Sequence, residues 1–461
     1  MRSVEMSNRM AIVLAAGKGT RMKSSLYKVL HPVCGLPMVE HVIRSVKQSG
    51  VEQIVTIVGH GAEKVQEVLG DSSEYALQAE QLGTGHAVLQ AKDLLASQEG
   101  TTLVICGDTP LLTGETLQQL FETHETTGAK ATILTAVAED STGYGRIVRS
   151  ANGEVAKIVE QKDASEAELE IKEINTGTYV FDNQALFVAL ASVKNDNAQG
   201  EYYLPDVIEL IKADGDIVSA HIMDDMDEAI GVNDRVALSQ AQQTMMRRIN
   251  LMHMRNGVTF GNADSTYIEP DVVIGNDTVI EAGVQLKGQT TIGSNCFIGM
   301  NSEIIDSQIA DNVKITQSVI EHSSVGELSD IGPFAHLRPN SVLGQHVHIG
   351  NFVEVKNSNI GDETKAGHLA YIGDADLGKD INVGCGTIFV NYNGKSKARS
   401  VIGDQAFIGS NANIVAPVNV GDKAFIAAGS TIINDIPEEA LAISRSEQKN
   451  VPNYWEKLSK K

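Results

Sequence analysis

Up to about residue 235, short apolar runs alternate with longer amphipathic stretches. "AIVLAA", "QIVTIVG" and "TLVICGD" are apolar at every position, as parallel strands covered on both faces are. "HVIRSVKQSG" and "TLQQLFETHE" carry the helical period between them. The rhythm predicts a doubly wound, Rossmann-like α/β sheet over residues 1–234. Leu238, Ala241, Met245, Ile249 and Met252 then step by three or four residues and predict one connecting helix over 235–256. Asn233 or Asp234 suits its N-cap, and Gly257 its end. After Gly257 an aliphatic residue followed by glycine recurs, as in Ile274-Gly275, Ile292-Gly293, Ile298-Gly299, Val325-Gly326, Ile331-Gly332, Leu343-Gly344, Ile349-Gly350, Ile372-Gly373, Val383-Gly384, Ile402-Gly403, Ile408-Gly409 and Val420-Gly421. Within blocks the glycines are spaced by multiples of six, the mark of a hexapeptide-repeat parallel β-helix, expected over 257–446. At roughly 18 residues per coil this gives about ten coils, stacked ~4.8 Å apart. Each strand sends one aliphatic side chain inward, and small residues are expected at the corners. "NYNGKSKARS" (391–400) breaks the period as an inserted loop, and residues 447–461, with the only tryptophan, Trp455, read as a polar tail.

Length and composition narrow the classes. A chain of 461 residues exceeds one hydrophobic core, so two or three domains are expected. The net charge of −22 argues against nonspecific binding to nucleic acid or anionic membranes. An anionic substrate therefore needs local basic clusters. Two exist: Lys18, Arg21, Lys23 and Lys28, and Lys395, Lys397 and Arg399. Cys34, Cys106, Cys296 and Cys385 are scattered with no C-x-x-C pair, which suggests reduced thiols in a cytoplasmic protein rather than zinc or disulfides. After Arg2, Glu5 and Arg9, the apolar run Ala11–Ala16 is too short for a signal peptide, and no run reaches the length of a membrane span.

The stretch "AIVLAAGKGTRM" (11–22) looks built for phosphate. It is not a Walker loop, and Met22 stands where a dinucleotide fingerprint needs its third glycine. Gly17 and Gly19 let backbone N–H groups approach an anion, while Arg21 and Lys28 bring charge for a triphosphate. Taken alone, the turn is equally compatible with glycines kept for steric reasons. "QLGTGHA" adds Gly83 and Thr84, placed to meet a base edge. "CGDTPL" puts Asp108 at the carboxyl end of a buried strand, where it can cap the turn before Pro110 or hold Mg²⁺. "GYGRI", "IVEQKDA" and "INTGTYVF" supply Gly145, Glu160 and Asn175.

With those residues in hand, the LxxGxGTRM…K pattern and the later "GD" resemble the sugar-1-phosphate nucleotidyltransferases. Combined with the hexapeptide half, residues 10 to 446 resemble the bacterial family of bifunctional N-acetylglucosamine-1-phosphate uridylyltransferases/glucosamine-1-phosphate acetyltransferases. The resemblance implies a left-handed winding, a homotrimer, and UTP and acetyl-CoA as substrates. It implies that Leu14, Ala15, Ala16, Gly17, Lys28, Gln78, Gly83 and Thr84 meet the uridine nucleotide. Gly145, Glu160 and Asn175 would hold the sugar, and Asp108 and Asn233 the Mg²⁺. The reaction it implies is in-line displacement at the α-phosphorus of UTP, with Arg21 and Lys28 neutralising charge and no protein nucleophile.

In the second half, "KAGHLAYIGDADLG", "NVGCG" and "NYNG" collect polar residues on an aliphatic scaffold. The resemblance makes His368 the general base that deprotonates the amine of glucosamine-1-phosphate, with Glu354 orienting it. Arg338, Lys356, Tyr371 and Asn382 would bind the sugar phosphate. Cys385, Asn391, Tyr392, Ser410, Ala428 and Arg445 would meet acetyl-CoA, with Lys397 near the CoA phosphates. Cys385 stands where alanine is common in the family, and "NYNG" replaces "NYDG". His346 and His348 form an H-x-H pair read as solvated or interface side chains. One alternative keeps only nucleotidyl transfer, with the β-helix as an oligomerisation module. Another is a non-catalytic scaffold, against which Asp108 and the basic loop both count.

Overall fold

In the computed structural model, which describes residues 8–197 and 199–458, the predicted apolar runs form the centre of one sheet. Arg2 and Glu5, and the last three residues of the tail, lie outside the described residues. Strand Arg9–Ala15 pairs in parallel with Gln53–Val58 on one side and Thr101–Cys106 on the other. Its side chains alternate between two cores. Ala11, Val13 and Ala15 join one apolar cluster, and Met10 and Ile12 join the other. A strand covered on both faces must be apolar at every position, as "AIVLAA" is. Helices Met38–Gln48 and Gly114–Thr127 place their apolar stripes in the first cluster.

The sheet departs from an all-parallel winding at one place. Strand Glu173–Asp182 runs antiparallel between Thr101–Cys106 and Ala131–Val137, so the sheet is mixed. The same strand carries the hairpin Gly145–Arg149 and Val155–Val159, paired through Asn175 and Gly145. Its register against Ala131–Val137 shifts between Asn175 and Tyr179, a bulge that begins just after Asn175.

The helix Arg235–Arg255 follows. Asp234 caps it, its Oδ1 accepting from the backbone N–H of Val236 and Ala237 at 3.0 and 2.9 Å. Gly257, at φ 93°, ends it. The chain divides into two units within this helix, Met1–Met245 and Met246–Lys461. Leu238, Ala241 and Met245 pack with Val33, Met38 and Leu111 of the first unit. Asn250 donates to the carbonyls of Ala263 and Thr266 in the second. Met252, expected in the apolar stripe, is exposed.

The second unit is a parallel β-helix of three sheets with 11, 10 and 9 short strands. Every aliphatic residue of the Ile-Gly and Val-Gly pairs named above is buried. One inward ladder runs Ile280, Ile298, Ile315, Ile331, Ile349, Ala366, Val383, Ile408, Ile426. Successive members lie 16 to 18 residues apart except from Val383 to Ile408, where the insert intervenes. The corners are not simply small. Left-handed backbone recurs at Asp306, His322, Asn340, Asn357 and Asp374, and at Gln317, Phe334, Phe352 and Leu369. Asn and Asp tolerate this region through local hydrogen bonds. At Phe334 and Phe352 the cost is offset by stacking, with ring centroids 5.5 Å apart. The tail forms a short exposed helix, Tyr454–Leu458.

Candidate active sites

The first site forms at the switch point, where strands leave Arg9–Ala15 on both sides and their carboxyl ends diverge. Ala15 and Ala16 are buried at the strand's end, Leu14 takes a hydrogen bond from Gly107 N–H at 2.9 Å, and Gly17 is exposed. A Cβ on Gly17 would meet nothing within 4 Å, so open space stands over this backbone. A Cβ on Gly19, at φ 61°, would lie 2.5 Å from Lys28 Cβ. Gly19 is therefore needed to seat the loop on the Lys28 stem.

Four predicted residues converge beside the loop. Asn233 Oδ1 accepts from Arg21 Nη2 at 2.8 Å and from Lys28 Nζ at 3.0 Å. Lys28 Nζ also pairs with the Asp108 carboxylate. The competition for Asn233 is thus resolved: Asp234 caps the helix, and Asn233 faces the site. Two oxygens, one carboxylate and one amide, already cradle a cationic ammonium. A small hard cation that keeps most of its ligands from water and phosphate asks for such donors, so these residues fit a divalent ion. Among the described residues no cluster of three or more His, Cys, Asp or Glu offers an all-protein metal cage.

A cavity of about 520 Å³ adjoins this point, lined by Leu14, Thr84, Glu160, Asn175 and other residues of the first unit. Gly145 borders it: a Cβ there would lie 3.2 Å from Glu160 Oε1 and 3.5 Å from Asn175 Cβ. Burial, reinforced by Asp163 and Asp206, raises the Glu160 carboxyl above its usual range. Gln78 is buried and donates to the carbonyl of Gly83 at 3.1 Å. Thr84 opens a short helix, and its hydroxyl accepts from Leu204 N–H at 3.1 Å. Leu14 and Thr84 of the nucleotide-side set and Glu160 and Asn175 of the sugar-side set therefore line one concavity.

The second candidate site lies around the insert of the β-helix. Tyr371 neighbours Glu354 in the ladder, and Arg338 Nη1 donates to Glu354 Oε1 at 2.9 Å. Asn391 Nδ2 donates to Tyr371 Oη at 3.2 Å, and Lys356 lies near the same cluster. His368 ends strand Lys365–His368, opposite Asn351, and its ring is exposed with no partner among the described residues. Among the described residues of one chain, Glu354 does not reach His368, which the sequence expectation had it orient. The two occupy different sheets of the prism, and Glu354 is held by Arg338 one coil below. Asn382 pairs in register with Lys365 on the His368 sheet. Cys385 is half-buried and its carbonyl accepts from Asn411 N–H. Arg445 Nη1 donates to the Ala428 carbonyl at 2.7 Å, and the Ser410 carbonyl accepts from Gly429 N–H. Tyr392 bridges across the insert to Lys397. Thus Arg338, Glu354, Lys356, Tyr371 and Asn391 form one connected set. No hydrogen bond joins His368, Asn382, Ser410 or Arg445 to it among the described residues. His348, of the H-x-H pair, is engaged by Asp330 at 2.6 Å.

Comparison with known proteins agrees with this layout. The nucleotidyl transferase family matches residues 10–241, the GMPPB C-terminal domain family residues 268–366, and the six-repeat bacterial transferase hexapeptide family residues 399–434. The chain is 64% identical over 453 residues to bifunctional protein GlmU of Enterococcus faecalis, covering 98% of this chain and 99% of that one. It is 62% identical over 453 residues to bifunctional protein GlmU of Latilactobacillus sakei, covering 98% of each. Against bifunctional protein GlmU of Listeria monocytogenes it is 58% identical over 454 residues, covering 98% and 99%. The chain belongs to the GlmU family. As a GlmU-family member it is an N-acetylglucosamine-1-phosphate uridylyltransferase and a glucosamine-1-phosphate acetyltransferase, and its β-helix is left-handed. The sequence reading missed Cys106, Tyr179 and Tyr203 in the GlmU-type cavity. The Cys106 thiol is pushed up to about 12, first by burial and then by the Asp108 charge, so it is a neutral wall and no nucleophile. Only its place two residues before Asp108 at a strand end hinted at this. It also missed Asp374, buried in the second site, which the Asp-rich "GDADLG" did not single out.

Proposed function

We propose that each unit carries one of the two reactions, with acetyl transfer first and uridylyl transfer second. The convergence of Arg21, Lys28, Asp108 and Asn233 beside an open glycine loop carries the first assignment. Arg21 and Lys28 bind the triphosphate of UTP and neutralise its charge. Gly83, Thr84 and Gln78 seat the nucleoside, while Gly145, Glu160 and Asn175 hold the sugar. An oxygen of N-acetylglucosamine-1-phosphate attacks the α-phosphorus, the bond to the bridging oxygen breaks, and pyrophosphate leaves. Nucleotidyl transfer of this kind uses a divalent metal; we assign Mg²⁺, held by Asp108 and Asn233. When bound it supplies charge neutralisation at the phosphates.

In the second unit Arg338, Lys356, Tyr371 and Asn382 receive glucosamine-1-phosphate. Cys385, Asn391, Tyr392, Ser410, Ala428 and Arg445 line the approach of acetyl-CoA. His368 accepts a proton as the amine attacks the thioester carbonyl; the C–S bond breaks and CoA leaves as a thiol. An exposed imidazole with no hydrogen-bond partner among the described residues suits an interface site, and we infer a homotrimer. Among the described residues no helix is long and apolar enough to cross a membrane, and we place the enzyme in the cytoplasm.

A split assay tests both assignments: thiol release from acetyl-CoA with glucosamine-1-phosphate, and pyrophosphate release from UTP with N-acetylglucosamine-1-phosphate. His368→Ala is expected to lower thiol release by about 10²–10⁴ and to spare pyrophosphate release. Asp108→Ala is expected to do the reverse. Thiol release at the wild-type rate in His368→Ala removes His368 as the base.

A further inference from the structure

Asp374 is a carboxylate of the second site, and it is only 6% exposed. It sits at a left-handed corner, φ 50°, at the top of the column Asp306, His322, Asn340 and Asn357. An aspartate is tolerated there for backbone reasons alone, so its environment must decide whether it does more. Its Oδ1 accepts from Asn357 Nδ2 and its Oδ2 from Asn391 Nδ2, each at 2.5 Å. Lys356 Nζ lies 3.6 Å from Oδ2. The Asp374 carbonyl accepts from Ser400 N–H at 3.2 Å. The insert therefore leaves the coil at Asn391 and rejoins it at Ser400, and both ends are tied to this residue. Arg399 secures the returning chain through Asp376 and the carbonyls of Asn357 and Ala375.

We propose that Asp374 is a positioning residue for acetyl transfer, clamping the insert and aiming Lys356, Asn391 and Tyr371 at the shared edge where glucosamine-1-phosphate meets acetyl-CoA. This rests on the placement of acetyl transfer at that edge. Asn391 reaches Tyr371 with the same amide that Asp374 holds, so the carboxylate fixes which way the amide faces. Its charge also holds two cations together. Lys397 lies against Lys356, which pulls the Lys397 ammonium toward neutrality, and Asp374 opposes that pull. Burial alone would raise the Asp374 carboxyl; the two amides, Lys356 and Lys397 overcome it and keep it ionised. The result is a lysine pair held side by side for a phosphate dianion.

Asp374→Asn tests the idea. It keeps the corner conformation and volume, but one face of the new amide must present N–H₂ to an asparagine N–H₂. The KM for glucosamine-1-phosphate is expected to rise roughly tenfold to a hundredfold, with a much smaller change in kcat. The alkaline limb of the acetyl-transfer pH profile is expected to move to lower pH, because Lys397 then faces only Lys356 and Tyr371. A melting curve of the same sample reports folding of the β-helix, and uridylyl transfer serves as the control for the first unit. Asp306→Asn, at the same corner of an earlier coil, is expected to change neither quantity. An unchanged KM and an unchanged alkaline limb in folded Asp374→Asn would overturn the role. So would a melting loss with kcat and both KM values scaling together, since that is a structural defect. Lys356→Ala separates the two levels: wild-type acetyl transfer in that variant removes the placement of the site itself, whatever Asp374→Asn does.

Discussion

Lys28 is where the first site can be broken most cleanly. Its ammonium bridges Asp108 and Asn233, and the two charged side chains are 16% and 14% exposed. At an effective dielectric near 20, such a pair is worth about 4 kcal/mol of gross Coulomb attraction. Desolvation removes much of that, but truncating one partner leaves a mostly buried carboxylate unpaired. Lys28→Ala should therefore cost about 1–3 kcal/mol of stability in the first unit. The larger loss is in chemistry. A preorganised charged donor at a reacting phosphate is worth about 10²–10³ in kcat, and pyrophosphate release should fall by that factor while thiol release persists. Lys28→Arg should not restore the rate, because a planar fork does not replace a compact ammonium between two oxygens. The substitution also frees those oxygens. Mn²⁺ titrated without nucleotide and followed by its free-ion paramagnetic signal should bind Lys28→Ala more tightly than the unchanged protein. Pyrophosphate release within threefold of the unchanged protein, or Mn²⁺ binding no tighter, would refute the reasoning.

Two further outcomes concern His124 and Gly83 of the first unit. Burial lowers the His124 pKa to about 4, with Asp182 and Glu125 opposing it. Its stabilising contribution is complete above pH 6.5 and is lost as pH falls toward 4, because the unfolded chain takes a proton the folded one refuses; about 3 kcal/mol is at stake. His124→Gln should flatten that acid limb in urea unfolding at pH 7 and pH 4.5, and equal losses in both proteins would contradict it. A Cβ on Gly83, at φ 111°, would lie 2.5 Å from the Tyr202 carbonyl oxygen and 2.8 Å from its nitrogen. Neither is a flexible side-chain end, so Gly83→Ala should cost about 1–3 kcal/mol. Calorimetry reads that cost, and pyrophosphate release should fall while thiol release holds.

Much of this was legible because two periods are written into the chain. Arg9–Ala15 buries both faces, so its apolar run had no polar gap to hide in. The Ile-Gly pairs repeat because each coil offers one inward position per strand and stacks in register on the last. What stayed hidden depends on contacts rather than periods. The antiparallel course of Glu173–Asp182 leaves no local mark, since an apolar strand reads alike in either direction. Phe334 and Phe352 sit at left-handed corners and stack on each other, a contact between coils that no local pattern announces. Tyr203 enters the cavity through a loop with no periodic signal. Glu354 and His368 are close in sequence, but the three-sided coil puts them on different sheets, which proximity along the chain cannot report.

Both sites solve the same electrostatic problem in the same way. A chain of net charge −22 must attract phosphate, and a bare cluster of cations would repel itself and lose its geometry. Four of the basic groups here are instead held by an acid or an amide. Lys28 and Arg21 are tied to Asp108 and Asn233, and Lys356 and Arg399 to Asp374 and Asp376. The acid fixes the direction of the ammonium or guanidinium and keeps the pocket near neutral until a phosphate arrives. The β-helix imposes where this can be built. Its interior is filled by aliphatic ladders, so polar pairs must lie on outer faces and corners, and a reaction centre needs a place where the period breaks. The insert between Val390 and Ser400 is such a break, and Asp374 sits under both of its ends.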